Sequence, residues 1–119
     1  MSDLGIQGID HLALQLPSLE EGCRFFQQLL GLKLKRRVTF EGMQIVMLQA
    51  GKVELEMWQA PDGEDKPTRP PACGVDHIGL LVRDLDRVLA HLRQAGVPIL
   101  TEVYEPTAGI REVIVQGPG

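Results

Sequence analysis

Gly8-Ile9-Asp10-His11-Leu12-Ala13-Leu14 returns 66 residues later as Gly74-Val75-Asp76-His77-Ile78-Gly79-Leu80. Each copy places a histidine at the same point of a strand pattern. Leu19 and Leu85, eight residues past those histidines, keep the same offset. A repeat of this kind predicts two copies of one structural unit. If the copies pack symmetrically, His11 and His77 meet, and two converging imidazoles are the start of a metal site.

The residues around the first copy predict β-α-β-β-β. Leu12, Leu14 and Leu16 share one face of a strand over Ile9 to Leu16, while His11, Ala13 and Gln15 share the other. Pro17-Ser18 stops it, and Ser18 with Glu21 forms a capping box that opens a helix. Leu19, Cys23, Phe26 and Leu30 follow helical spacing, Phe25 and Leu29 widen the stripe, and Gly31 is placed to end it. Strands are expected over Leu32 to Phe40, Met43 to Gln49 and Val53 to Gln59, with turns at Glu41-Gly42 and Ala50-Gly51-Lys52. Residues 1–60 thus form a first module. Residues 61–73, with Pro61, Gly63, Pro67, Pro70 and Pro71, read as a linker. Residues 74–119 form an incomplete second module, β-α-β-β. It has a strand over Asp76 to Val82, then a helix capped by Asp84 with Leu85, Val88, Leu89 and Leu92 as its apolar stripe and Gly96 after it. Strands follow at Pro98 to Val103 and Ile110 to Gln116.

The composition narrows the function classes. The chain has 119 residues, 44% hydrophobic and 24% charged, with a net charge of −4. The acidic balance offers no basic face for a nucleic-acid backbone. No apolar run approaches the roughly 20 residues that span a bilayer. The start, Met-Ser-Asp-Leu-Gly, carries no secretory pattern. Cys23 on a helix stripe and Cys73 after a proline-rich loop read as reduced thiols, so a cytoplasmic location is expected.

One strand joins the histidines to acidic chemistry. In Val53-Glu54-Leu55-Glu56-Met57-Trp58-Gln59 the odd positions share one face and Glu54, Glu56 and Trp58 the other. If Val53, Leu55 and Met57 pack under the helices, the two carboxylates face the side to which the histidines point. Desolvated carboxylates are costly unless paired or bound to a cation. Two neutral imidazoles and a carboxylate suit a divalent ion such as Zn, Ni, Co, Mn or Fe(II). Glu54 is the runner-up to Glu56. His91, without a repeated partner, is expected in solvent. Trp58 either lines a cavity or fills the core. Lys33, Lys35, Arg36 and Arg37, with Arg69, read as solvated charge or as a rim holding an anionic substrate.

The pattern Ile-Asp-His-Leu-Ala-Leu, the helix with Phe25-Phe26 and Leu30-Gly31-Leu32, then Leu55-Glu56-Met57-Trp58 and Val75-Asp76-His77-Ile78-Gly79, resembles the vicinal oxygen chelate superfamily. That group holds glyoxalase I, methylmalonyl-CoA epimerase, extradiol dioxygenases and bleomycin resistance proteins. The resemblance covers nearly the whole chain. It implies an α+β fold of two tandem βαβββ modules forming an open, cup-shaped mixed sheet with helices outside. It also implies a metal held by the first-strand histidine of each module and by a residue on each module's last strand. Carried onto this chain, the ligands are His11, Glu56 and His77, with Glu56 or its missing counterpart in the second module as the candidate base. Glu56 stands 45 residues after His11, and the same offset from His77 falls at position 122, past the last residue. The last strand of the second module is therefore expected to be missing. Glu112 does not match the repeat position of a fourth ligand.

The resulting expectation is a metal-dependent lyase, isomerase or epimerase acting on a small substrate with vicinal oxygens through an enediolate. The alternatives are an Fe(II) ring-cleaving dioxygenase and a metal-free drug-binding protein. The five aromatic residues and the retained histidines weigh against the last. The resemblance further implies a homodimer.

Overall fold

Leu12, Leu14 and Leu16 alternate with His11, Ala13 and Gln15, and this stretch forms the second half of strand β1, Ile6–Leu16. The structure, a computed structural model, describes residues 4–60 and 74–118. The expected linker, with Arg69 and Cys73, lies outside the described residues. The fold is mixed α+β. The chain divides into two compact units, Gly8–Leu81 and Met1–Gln7 together with Val82–Gly119.

In the first unit Ser18 caps helix α1, Leu19–Cys23, by accepting the Glu21 N–H at 3.2 Å. The helix was expected to keep its spacing to Leu30, but Arg24–Leu29 continues as a π-helical turn, with Leu30 N–H donating to Phe25 O at 3.0 Å. The wider turn moves the stripe out of register. Leu19, Cys23 and Phe26 pack on the sheet, whereas Phe25, Leu29 and Leu30 remain exposed. Strands β2 (Lys33–Phe40), β3 (Met43–Ala50), β4 (Val53–Gln59) and β5 (Gly74–Val82) follow. The sheet order is β2-β3-β4-β1-β5. β2, β3 and β4 are antiparallel neighbours, and β4 runs parallel to β1.

One face of this sheet carries the core. Val46, Leu48, Leu55 and Met57 are buried, with Leu12, Leu14, Leu16, Leu19, Cys23, Phe26 and Leu32 packed against them. Burial contributes about 1.5–3 kcal/mol for each large side chain. Gly22 lets α1 approach closely: a Cβ there would stand 2.5 Å from Leu16 Cδ1 and 3.3 Å from Met57 Sδ. Because Leu55 and Met57 take this face, Glu54, Glu56 and Trp58 take the other.

In the second unit Asp84 accepts the Arg87 N–H at 3.1 Å and caps α2, Leu85–Gln94, which buries Val88 and Leu89. Gly96 follows with φ +80°, in the left-handed region that favours glycine at a helix end. The expected strands at Pro98–Val103 and Ile110–Gln116 need correction. The strands are β6 (Tyr104–Thr107) and β7 (Ile110–Glu112), joined through Ala108-Gly109. Residues 98–101 and 114–116 meet in an isolated Ile99–Val115 bridge, with backbone bonds from Leu100 N–H to Ile114 O and from Gln116 N–H to Pro98 O. Pro98 has no N–H to give, and Thr101 Oγ1 takes the Ile114 N–H at 3.0 Å, so the ladder stops. Among the described residues no helix is long and apolar enough to cross a membrane.

Candidate metal centre

Three neighbouring strands each supply one side chain. His11 comes from β1, Glu56 from β4 on one side of it and His77 from β5 on the other. One ligand atom from each lies within 4.8 Å of the others. His11 Nε2 is 3.1 Å from His77 Nε2 and 3.1 Å from Glu56 Oε2. The two imidazole rings meet edge to face, with centroids 5.2 Å apart. The His11 and Glu56 side chains are only 12% and 18% exposed, so little water compensates them.

Two aspartates set the chemistry of this cluster. Asp10 Oδ2 is 2.8 Å from His11 Nδ1, and Asp76 Oδ2 is 2.9 Å from His77 Nδ1. An ionised carboxylate only accepts, so this geometry favours the tautomer with the proton on each Nδ1. A ring in that tautomer turns a bare Nε2 lone pair inward, towards the other ring and towards Glu56. Three acceptors at this spacing repel one another unless a cation sits among them. Ligand atoms bound to one ion at about 2.0–2.2 Å stand about 3–3.5 Å apart, which matches the contacts at His11. The donor set therefore fits a divalent ion such as Zn, Ni, Co, Mn or Fe(II).

Glu54 is not part of the cluster, although the register puts its Cα opposite His11 and puts Glu56 opposite Ala13. Lys35 Nζ binds Glu54 Oε2 at 3.1 Å and draws this carboxylate towards β2. Lys35 lies at a register irregularity between Leu34 and Arg36. Arg36 consequently pairs with Met47, and its Nε donates to Met47 Sδ at 2.9 Å. Glu54 Oε1 is buried and has no hydrogen-bond partner among the described residues. Trp58 stacks on His77, with centroids 6.2 Å apart and planes inclined by 29°. Its Nε1–H donates to Gln15 Oε1 at 3.1 Å. Trp58 thus stands on the histidine face, half-buried and outside the core cluster.

Other sequence expectations fall outside the centre. His91 is exposed near the end of α2. Glu112 accepts the Tyr104 hydroxyl at 2.9 Å. Lys33, Lys35, Arg36 and Arg37 are exposed.

Sequence reasoning missed three residues. Asp10 and Asp76 were visible in the repeated Asp-His pair but had no assigned role. Gly79 is the third: a Cβ there would overlap the His11 ring. The signal was the repeat itself, which aligns Gly79 with Ala13.

Residues 8–119 match the Glyoxalase/Bleomycin resistance protein/Dioxygenase superfamily. The chain belongs to this superfamily. Within it, the chain is 27% identical to the uncharacterized protein YaeR of Escherichia coli (strain K12), covering 87% of this chain and 82% of YaeR. It is 25% identical to the mitochondrial methylmalonyl-CoA epimerase of Homo sapiens, covering 92% of this chain and 66% of that one. A Streptomyces coelicolor methylmalonyl-CoA epimerase variant in complex with 2-nitronate-propionyl-CoA shares the superfamily fold with this chain. Its TM-score is 0.78 at 25% identity, covering 94% of this chain and 86% of that one.

Proposed function

We propose that the chain is a metal-dependent isomerase of the epimerase type, acting on a small substrate with two adjacent oxygens. The convergence of His11 Nε2, His77 Nε2 and Glu56 Oε2, with both Nδ1 atoms committed to aspartates, carries this reading. A divalent ion held by His11, Glu56 and His77 would stabilise the negative charge that develops on the substrate oxygens when the neighbouring carbon loses its proton. The chain's own residues then have separate tasks. Glu56, as the carboxylate nearest the centre, accepts the proton, and inversion follows when a proton is delivered to the opposite face of the carbon. Trp58 and Gln15 wall one side. Arg36, on the outer strand, supplies positive charge for an anionic part of the substrate. Kinship with methylmalonyl-CoA epimerases makes an acyl thioester with a second carboxylate the first substrate to try.

Two measurements test the proposal. The double change His11→Ala and His77→Ala abolishes bound metal by elemental analysis; unchanged metal content overturns the site. Incubation with methylmalonyl-CoA in D2O places deuterium on the carbon between the two carbonyls; no exchange in metal-loaded protein overturns the substrate assignment.

Two histidines and one carboxylate are also the donor set of Fe(II) oxygenases. Oxygen uptake with a catechol, dependent on added Fe(II), would favour that reading.

The edge strand β5 exposes Val75, Ile78, Leu80 and Leu81, which supports pairing of two copies of the chain. Light scattering that gives a monomer mass would overturn the homodimer.

A further inference from the structure

We propose that Asp10 and Asp76 are positioning residues that hold His11 and His77 in one tautomer and aim both Nε2 lone pairs at a shared divalent ion. The inference rests on the metal reading above and extends it from three ligands to the two carboxylates behind them.

The geometry is the same in both copies of the repeat. Each aspartate immediately precedes its histidine, and its Oδ2 reaches the Nδ1 of that ring at 2.8 Å for Asp10 and 2.9 Å for Asp76. Nδ1 is the ring nitrogen nearer the backbone, so a residue one position earlier can reach it even though strand side chains alternate in direction. The contact leaves Nε2, the far nitrogen, as the only one able to ligate. A free imidazole divides its proton between two nitrogens, and only one tautomer serves here. A carboxylate on Nδ1–H selects that tautomer, restrains the ring's rotation and makes Nε2 a stronger electron donor.

Burial argues against a purely structural role. The side chains of Asp10 and Asp76 are 47% and 36% exposed, so neither fills core space. Among the described residues, the carboxylate of each meets the imidazole that follows it. The rings are confined from other directions too. His11 lies over the Cβ-free backbone of Gly79, and His77 is stacked by Trp58. Sterics set where each ring lies. The aspartate decides which nitrogen carries the proton.

The test uses Asp10→Ala and Asp76→Ala, with Asp10→Asn and Asp76→Asn as milder variants whose amide oxygen still accepts from Nδ1–H. Affinities for Zn2+ and Co2+ are measured by competition with a chromophoric chelator. Each alanine variant is expected to bind about 10- to 100-fold more weakly, and the asparagine variants to lose less. Two-bond 1H–15N spectra of the metal-free protein give a second readout. Both native histidines should appear as Nδ1–H tautomers, and each alanine change should move only the histidine that follows it towards a mixture.

Native binding of both ions with unchanged affinity in the alanine variants overturns this assignment alone. So does an Nε2–H tautomer in the native protein. A native protein that binds neither ion overturns the metal reading and the assignment with it. If an alanine variant fails to melt cooperatively, the corresponding asparagine variant and its histidine spectrum carry the test.

Discussion

The Nε2 atoms of His11 and His77 stand 3.1 Å apart, although 66 residues separate the two histidines along the chain. The contact exists because β1 and β5 are neighbours in one sheet. With both Nδ1 protons facing aspartates, it brings two lone pairs together and calls for a positive charge between them. Metal addition should therefore stabilise the fold. At a free ion concentration 100 times Kd the gain is about 2.7 kcal/mol. For a domain of this size that raises Tm by on the order of 10 °C. Scanning calorimetry with Zn2+ and then with excess chelator checks it. His11→Ala should show no zinc-dependent rise.

Gly79→Ala should damage the centre from a position that bears no ligand. The added methyl would occupy the space of the His11 ring, and the imidazole must swing aside or the strands must part. A loss of about 10- to 100-fold in zinc affinity is expected, comparable to losing a supporting partner of a metal ligand. Chelator competition measures it. Native affinity in a folded Gly79→Ala protein would sink the idea.

Glu54 and Glu56 should separate in mutagenesis although only Leu55 stands between them. Glu56→Gln should lower both metal content and proton exchange. Glu54→Gln should leave metal content unchanged, because Lys35 and not the histidine pair holds that carboxylate. Its effect on stability should stay within about 1 kcal/mol, since the Lys35 end of the pair is half exposed to solvent. Elemental analysis and urea titration of both variants decide the matter.

The face opposite the histidines should respond only in stability. Leu48 is fully buried in the core cluster, so Leu48→Ala should cost about 2–5 kcal/mol. Gly22→Ala should cost about 1–3 kcal/mol by forcing α1 away from Leu16 and Met57. Both values can be read from urea midpoints at constant m.

A smaller effect is expected in acid at the second unit. Arg111 Nη2 binds Asp86 Oδ1 at 2.9 Å, and this hydrogen bond and charge hold the Asp86 carboxyl below its usual value of 3.8. A carboxyl with a lowered folded-state pKa contributes stability above its unfolded pKa and loses it as pH falls through the folded value. Arg111→Gln should therefore melt slightly below the native protein near neutral pH. The gap should close as pH drops below about 3.8. Because both groups are exposed, 1 M salt should narrow the gap at neutral pH as well.

Much of the fold was legible because its signals are local. The alternation in β1, the Ser18 and Asp84 caps and the apolar stripe of α2 each rest on a few adjacent residues. The failures came where a neighbour decided the outcome. The π-helical turn after Cys23 moved Leu30 off the core stripe, and Thr101 took the hydrogen bond that would have extended the 98–103 ladder. At the centre, the repeat and the parity of β4 singled out the histidines and put both carboxylates on their face.

By itself, the sequence determined that His11 and His77 occupy equivalent strand positions and that Glu54 and Glu56 share a face, since period and repeat are properties of the chain alone. Only the tertiary structure decided which carboxylate joins them. The strand register sets Glu54 across from His11, yet Lys35 reaches over from β2 and takes that carboxylate. Glu56, one step along the same face, then meets His11 Nε2. The choice turns on side-chain reach across non-adjacent strands, a distance that no local pattern encodes.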